Sequence, residues 1–394
     1  MKRIRSYLLF AVAVFATSCI KDDYEGPNPD LPSRTVLVYL GGDSASLSST
    51  LKSEVEALRK GWTYTGNRCL IYIDPVDDVP RLLSLRGGCR TYPTPFIDTL
   101  AVYSEENSAS AAVFGRVVEE VAERHPADSY GLIFASHASG WLPQGTLAHP
   151  TRSIGNDANT GTMDANAEME LADFAAAIPD GHFDFIIFEA CLMAGVEVAY
   201  ELRGKTDYML ASSAELLVPG FVPIYPSAGR YLFDTGRTVE QSLTAFAEAY
   251  YNHVNAQSGA YRSTTLSIIK TAGLDALATL TGEMLDHHAS EELSDISTLQ
   301  HFDRPGSYGD VPALPRYFDF LEYVEAMASS SEYGAIESAV NTVVVWKAAT
   351  PTFMDGYNGF VVDRHSGLTT YIEQAEFSKL NTAYRQTAWY GATR

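Results

Sequence analysis

The chain is short of positive charge. Lys and Arg total 28 against 49 Asp and Glu, a formal net charge of −21 over 394 residues. No basic stripe is present to neutralise phosphates, which argues against nucleic acid as a partner. The excess of carboxylates suits solubility and attracts cationic substrates. Long apolar runs are missing as well. The run at residues 7–15 is too short for a membrane-spanning helix. There is no phosphate loop, no dinucleotide fingerprint and no internal repeat. His287, His288 and His301, with Asp286 and Asp303, fit no zinc spacing, and adjacent histidines on a helix point to different faces. Asp157-Ala158-Asn159-Thr160-Gly161 matches part of a calcium loop, but the remaining ligand spacing is absent. No cofactor or metal is expected from these residues.

Cysteine is scarce too, at four residues, so each can be weighed singly. Cys19 follows Ala16-Thr17-Ser18, behind a basic start at Lys2, Arg3 and Arg5 and the apolar run. This reads as a lipoprotein signal over residues 1–18, with Cys19 as the lipid-bearing N-terminus. Residues 19–33 read as an anchored linker, acidic and then rich in proline. The acidic stretch Ile20-Lys21-Asp22-Asp23-Tyr24-Glu25 resembles the export signal of surface lipoproteins in Bacteroidetes. That implies a bacterial outer-membrane lipoprotein exposed at the cell surface, held to the membrane by lipid alone. Cys69 and Cys89 are left to form a disulfide, which an exported compartment permits. Cys191 is the remaining cysteine.

Hydrophobic residues at 46% and charged residues at 20% are ordinary for a globular protein. Near-continuous apolar runs at 35–40, 70–73, 130–135, 183–188 and 208–211 alternate with helix-period segments. That pattern predicts an α/β fold, a mostly parallel sheet with helices on both faces. Residues 111–124 carry Phe114, Val117, Val118 and Val121 at helical spacing, and Pro126 stops them. A second crossover helix is predicted over 169–178. Helices near 237–256, 272–286 and 317–327 and strands near 342–347, 359–362 and 368–372 follow. The predicted organisation is a catalytic core over 34–235 and a C-terminal α/β extension, 236–394, packed on it.

Two blocks carry the chemistry. Ser136-His137-Ala138-Ser139-Gly140-Trp141 follows one apolar strand, and Phe188-Glu189-Ala190-Cys191-Leu192-Met193 closes another. Catalytic groups gather where parallel strands end. A histidine and a cysteine leaving two strands at one sheet edge can act as base and nucleophile. Taken singly, each residue is more often structural; the pair carries the signal.

These blocks resemble those of the clostripain-like cysteine peptidases, which have a caspase-like fold. The family pattern is D-H-G-x-G-W after one strand and F-D-A-C-L-M before a helix, here residues 194–202. Residues 35–43, 208–212, 359–362 and 366–372 resemble further family strands. Residues 381–393 resemble the closing helix. The resemblance implies Cys191 as nucleophile and His137 as general acid/base, with the backbone N–H groups of Ala138 and Cys191 as oxyanion hole. Three positions depart from the pattern: Ser136 for Asp, Ala138 for Gly and Glu189 for Asp. Glu189, and with it Glu215, is the expected binding site for a cationic P1 side chain. Relatives of the family can use calcium; this sequence does not display a calcium site.

Residues 144–166, between the two blocks, read as a long exposed loop. Its basic residue, Arg152, is the expected self-cleavage point. The resulting reading is an exported, lipid-anchored cysteine endopeptidase acting on protein or peptide substrates after basic residues, Arg preferred. The alternatives are a catalytically silent caspase-like binding lipoprotein and a cysteine peptidase with a non-basic P1.

Overall fold

The computed structural model describes residues 33–41, 48–146, 154, 168–290, 293, 295–307 and 312–394. The expected signal, linker, Cys19 and Arg152 lie outside the described residues. A nine-stranded sheet runs through the molecule. Its centre is five parallel strands in the order β7-β6-β5-β1-β2: β1 (Arg34–Leu40), β2 (Arg68–Ile73), β5 (Ser129–Ala135), β6 (Phe183–Glu189) and β7 (Thr206–Ala211). Antiparallel strands extend it on both sides: β3 (Arg81–Arg86) and β4 (Phe96–Val102) beyond β2, then β8 (Thr265–Lys270) and β10 (Val344–Ala349) beyond β7. Three two-residue strands, β9 (Phe318–Asp319), β11 (Thr352–Phe353) and β12 (Phe360–Val361), and a fourth, β13 (Thr369–Thr370), form small ladders outside it. The sheet thus crosses the boundary expected at 235/236, because residues on both sides of it contribute strands.

Strand alternation builds two apolar layers. In β1, Leu37 and Tyr39 face one layer, and Val36, Val38 and Leu40 the other. The first layer is covered by α2 (Ala111–Arg124), α3 (Leu171–Ala176), α4 (Val196–Glu201), α7 (Leu274–His287) and α9 (Ser330–Val343). The short α8 (Phe320–Met327), α10 (Ser378–Tyr384) and α11 (Ala388–Thr393) pack there too. The second is covered by α1 (Ser48–Gly61), α5 (Tyr225–Ala228) and α6 (Val239–Asn255). The α2 stripe, Phe114, Val117, Val118 and Val121, is fully buried, as its spacing predicts. Ser110 caps that helix, its hydroxyl accepting from the Val113 N–H.

Several elements differ from the sequence expectation. The closing helix is two helices, because the Thr387 side chain accepts from the Tyr390 N–H and starts a new one. Strands β3, β4 and β8 and helices α1 and α9 were not anticipated. The expected disulfide is corrected: Cys69 and Cys89 are free thiols. Cys69 is fully buried in β2, in the layer of Ile71 and Leu85. Its neighbour Leu70 pairs with Ser84, five residues short of Cys89 along the chain. Cys89 lies in the turn after β3, where its sulfur accepts from the Tyr92 N–H at 3.4 Å.

Candidate active site

The parallel pairing of β5 with β6 ends at Ala135 opposite Glu189. His137 and Cys191 each stand two residues beyond that pair, so the sheet register itself sets the two blocks side by side. Both side chains are half-buried. They line one cleft of about 240 Å³ together with Ser136, Glu189, Glu54 and Glu215.

Tight turns hold the two loops. Leu192, just after the cysteine, has φ 62°, a left-handed value that costs a non-glycine residue about 1–2 kcal/mol. It is held there by burial at 3% exposure and by donation from its N–H to the Ala214 carbonyl at 2.9 Å. Such outliers cluster at functional sites because the surroundings over-determine them. Gly140, at φ 63°, meets the cysteine loop so closely that a Cβ would sit 2.7 Å from the Leu192 carbonyl oxygen. Glycine alone satisfies both demands. The Tyr317 hydroxyl donates to the Ser139 carbonyl at 2.6 Å, and Trp141 packs on Tyr371 and Tyr384. The Leu216 N–H donates to the Cys191 sulfur at 3.4 Å.

Acidic groups line the cleft. Glu189 Oε1 accepts from the Phe221 N–H at 2.7 Å, and Oε2 from the Tyr225 hydroxyl at 2.8 Å. Burial, opposed by those two donors, pushes the Glu189 carboxyl up to about 7. Gly220 covers it; at φ 59°, a Cβ there would lie 1.9 Å from Glu189 Oε1. The Tyr225 hydroxyl also lies 3.2 Å from Oε1 of Glu54, a residue of α1 that is 1% exposed. Burial and the neighbouring Glu189 drive the Glu54 carboxyl well above the usual range.

The expected site residues therefore separate. Cys191, His137 and Glu189 meet in the cleft. Glu215 reaches it too, but its carboxylate is occupied by the Arg304 guanidinium, at 2.8 Å from Nε and 3.1 Å from Nη2. This is a bidentate and largely buried pair, which leaves Glu215 little charge to offer a substrate. Ala138 is buried and forms an isolated antiparallel bridge with Ile154. Ile154 is itself fully buried and exchanges both backbone hydrogen bonds with Met169, each at 2.9 Å. The expected exposed loop is thus pinned into the core at that residue. Among the described residues no cluster of three metal-ligating side chains occurs, and no helix is long and apolar enough to cross a membrane.

Sequence reasoning missed Glu54, Tyr225, Gly220 and Arg304. A signal existed for the first. Leu51, Val55 and Leu58 recur at helical spacing, and Glu54 sits among them on the buried face. An acid within an apolar stripe marks a built polar site.

Known proteins share this fold and resemble this sequence. The model of the clostripain family matches residues 38–389. An inactive zymogen C11 protease from Parabacteroides distasonis is 29% identical, with a TM-score of 0.77 over 93% of this chain and 99% of that one. A secreted C11 cysteine protease from Bacteroides thetaiotaomicron, solved with an irreversible peptide inhibitor, is 28% identical, with a TM-score of 0.76 over 91% and 98%. Clostripain from Hathewaya histolytica is 26% identical over 218 residues, which are 48% of this chain and 40% of that protein. This chain therefore matches less than half of that relative's length. With the family match running across nearly the whole α/β sheet and both loops, the chain belongs to the clostripain family and has the caspase-like fold of its C11 proteases.

Proposed function

We propose that Cys191 and His137 form the catalytic dyad of an endopeptidase that cleaves after basic residues, Arg preferred. One observation carries this reading: both side chains stand at matched positions past the β5–β6 register and open on a cleft bearing the Glu189 carboxyl. In the first step His137 takes the thiol proton and the thiolate attacks the scissile carbonyl. The carbonyl oxygen becomes an oxyanion, held by the N–H groups of Ala138 and Cys191. His137 then gives its proton to the leaving amine, and the C–N bond breaks to leave a thioester. Water, deprotonated by His137, attacks the thioester and releases the acid and the free cysteine. Glu189 offers its charge to the P1 guanidinium. A binding-only role is disfavoured by the intact Cys and His and by the family's protease members.

Cys191→Ala should abolish peptidase activity and leave the melting temperature within a few degrees, since a half-buried side chain opens little cavity. Unchanged cleavage in that folded variant refutes the dyad. Glu189→Gln should lower kcat/KM for Arg substrates roughly 10- to 100-fold, the worth of a charged hydrogen bond of about 1.5–3 kcal/mol. Neutral P1 substrates should lose far less. Equal losses for both substrate types argue against a P1 role.

Export, anchoring and processing belong to the same proposal and rest on sequence. Cys19 carries the lipid of a surface-exposed outer-membrane lipoprotein. Metabolic labelling with a fatty-acid analogue should therefore mark the wild type and not Cys19→Ala; identical labelling removes the anchor. Self-processing follows Arg152. Purified wild type should give two fragments meeting there, while Cys191→Ala and Arg152→Ala stay intact. The same fragments from Cys191→Ala would assign the cut to another protease.

A further inference from the structure

The hydrogen-bond geometry behind the cleft constrains where its protons are. A hydroxyl has one hydrogen, yet the Tyr225 oxygen lies within bonding distance of two carboxyl oxygens, 2.8 Å from Glu189 and 3.2 Å from Glu54. It can donate to one of them. The other must bring a proton of its own, or two lone pairs face each other in a buried site. The Phe221 amide decides between them. A backbone N–H only donates, and it points at Glu189 Oε1 from 2.7 Å. Glu189 therefore has two donors and suits the ionised state. Glu54 has the Tyr225 hydroxyl and the Glu189 carboxyl itself beside it, where the shared contact again needs a proton between two acids, and it is the more buried of the two.

We propose that Glu54 and Glu189 form an unequal pair: Glu54 keeps a proton and donates it to the Tyr225 oxygen, Tyr225 donates to Glu189, and Glu189 alone presents negative charge to a cationic P1 side chain. The substrate half of this inference rests on the basic-P1 reading; the placement of the proton does not. Two ionised carboxylates would repel each other in a buried site. One proton leaves a single negative charge, the match for one guanidinium or ammonium group. Glu54 is then a positioning residue and Glu189 the specificity residue.

The groups facing the pair support the count. On α1 and β2, Glu54 faces the Cys69 thiol, which burial pushes upward. On α5 the Tyr225 phenol, and on α6 the Tyr250 phenol near Glu189 and Cys191, are likewise pushed upward by burial. These groups stay neutral near pH 7. His137, Cys191 and the Glu215–Arg304 pair line the same cleft, and a ratio of two substrates that differ only in P1 charge cancels what the dyad contributes to both. Because the Glu189 carboxyl is raised to about 7, a second proton enters as pH falls through that value. The pair becomes neutral, and preference for a cationic P1 declines on the acid side.

The test uses the full chain and has two readouts. Infrared spectra of the folded Cys191→Ala protein near pH 8.5, above the value of about 7 to which burial raises both Glu189 and Glu197, should show the carbonyl band of a buried protonated carboxyl. Adding Glu54→Gln should remove that band, and adding Glu189→Gln should keep it. No band, or a band lost with Glu189→Gln and kept with Glu54→Gln, overturns the assignment. The second readout is the ratio of kcat/KM for P1 arginine over P1 citrulline, its uncharged isostere, measured across neutral pH. The ratio should rise with pH in the wild type. Glu54→Leu should lower it roughly 3- to 10-fold, and Glu54→Gln, a neutral donor, should restore it. A collapse in Glu54→Gln as deep as in Glu189→Gln makes Glu54 the charge carrier and overturns the inference. A wild-type ratio near one, with the infrared assignment intact, refutes the basic-P1 reading and leaves the proton where it is placed here.

Discussion

The site depends on one constraint, the parallel register that pairs Ala135 with Glu189. Every side chain in a parallel pair is fixed in height relative to its neighbour. A slip of one residue in β6 would turn Glu189 and Cys191 away from the cleft and bring buried Phe188 and Ala190 toward it. Such a slip is blocked by the core. Phe188 packs edge-on against Phe134 and tilted against Phe174 on one face, and Ile187 fills the layer on the other. The packing of apolar rings thus sets the distance between a thiol and an imidazole, although no ring takes part in the chemistry.

A second principle is the division of the carboxyls. Three acids reach the cleft, and each is in a different electrical state. Glu215 is held as an ion pair by Arg304. Glu189 is supported by an amide and a phenol, and Glu54 is buried behind that phenol. Breaking the Glu215–Arg304 pair by removing one partner would leave a buried charge unmatched, at a cost of about 3–5 kcal/mol. That pair is therefore better explained as scaffold than as substrate recognition. It clamps the backbone of residues 214–216, which supplies both the Ala214 carbonyl bonded to Leu192 and the Leu216 N–H bonded to Cys191.

What the sequence disclosed follows from how local each signal is. The five parallel strands were legible because they are buried on both faces and read as unbroken apolar runs. The His137 and Cys191 blocks were legible because each lies next to such a run. The antiparallel strands β3 and β4 were not, since their apolar runs are short and β4 is half-exposed, with Asp98-Thr99 interrupting its apolar residues. Helix α1 was overlooked, and Glu54 with it, although its stripe was present. Arg304 could not be inferred, because its partner lies 89 residues away and nothing local marks it. Glu215 is a similar case: an acid beside a nucleophile suggests recognition, and its distant counter-ion Arg304 is visible only in the fold. The disulfide expectation failed because compartment permits a bridge without supplying the geometry.

The strain at Leu192 is sustained from both flanks of the site. A non-glycine residue at φ 62° has to be held by its surroundings. Three contacts do so. The Leu192 N–H reaches the Ala214 carbonyl, the Ala194 N–H reaches the Ser212 carbonyl at 3.0 Å, and Gly140 presses on the Leu192 carbonyl from the histidine side. The first two come from the chain leaving β7, which the Thr265 hydroxyl fixes by accepting from the Ala214 N–H at 2.9 Å. Thr265 belongs to β8, beyond the point where a separate extension was expected to begin. The posture of the cysteine is therefore set by a chain of hydrogen bonds that runs from the Thr265 hydroxyl on the antiparallel flank of the sheet to its parallel centre. A peptidase core cut away near residue 235 would keep its two motif blocks and lose the support that poses one of them.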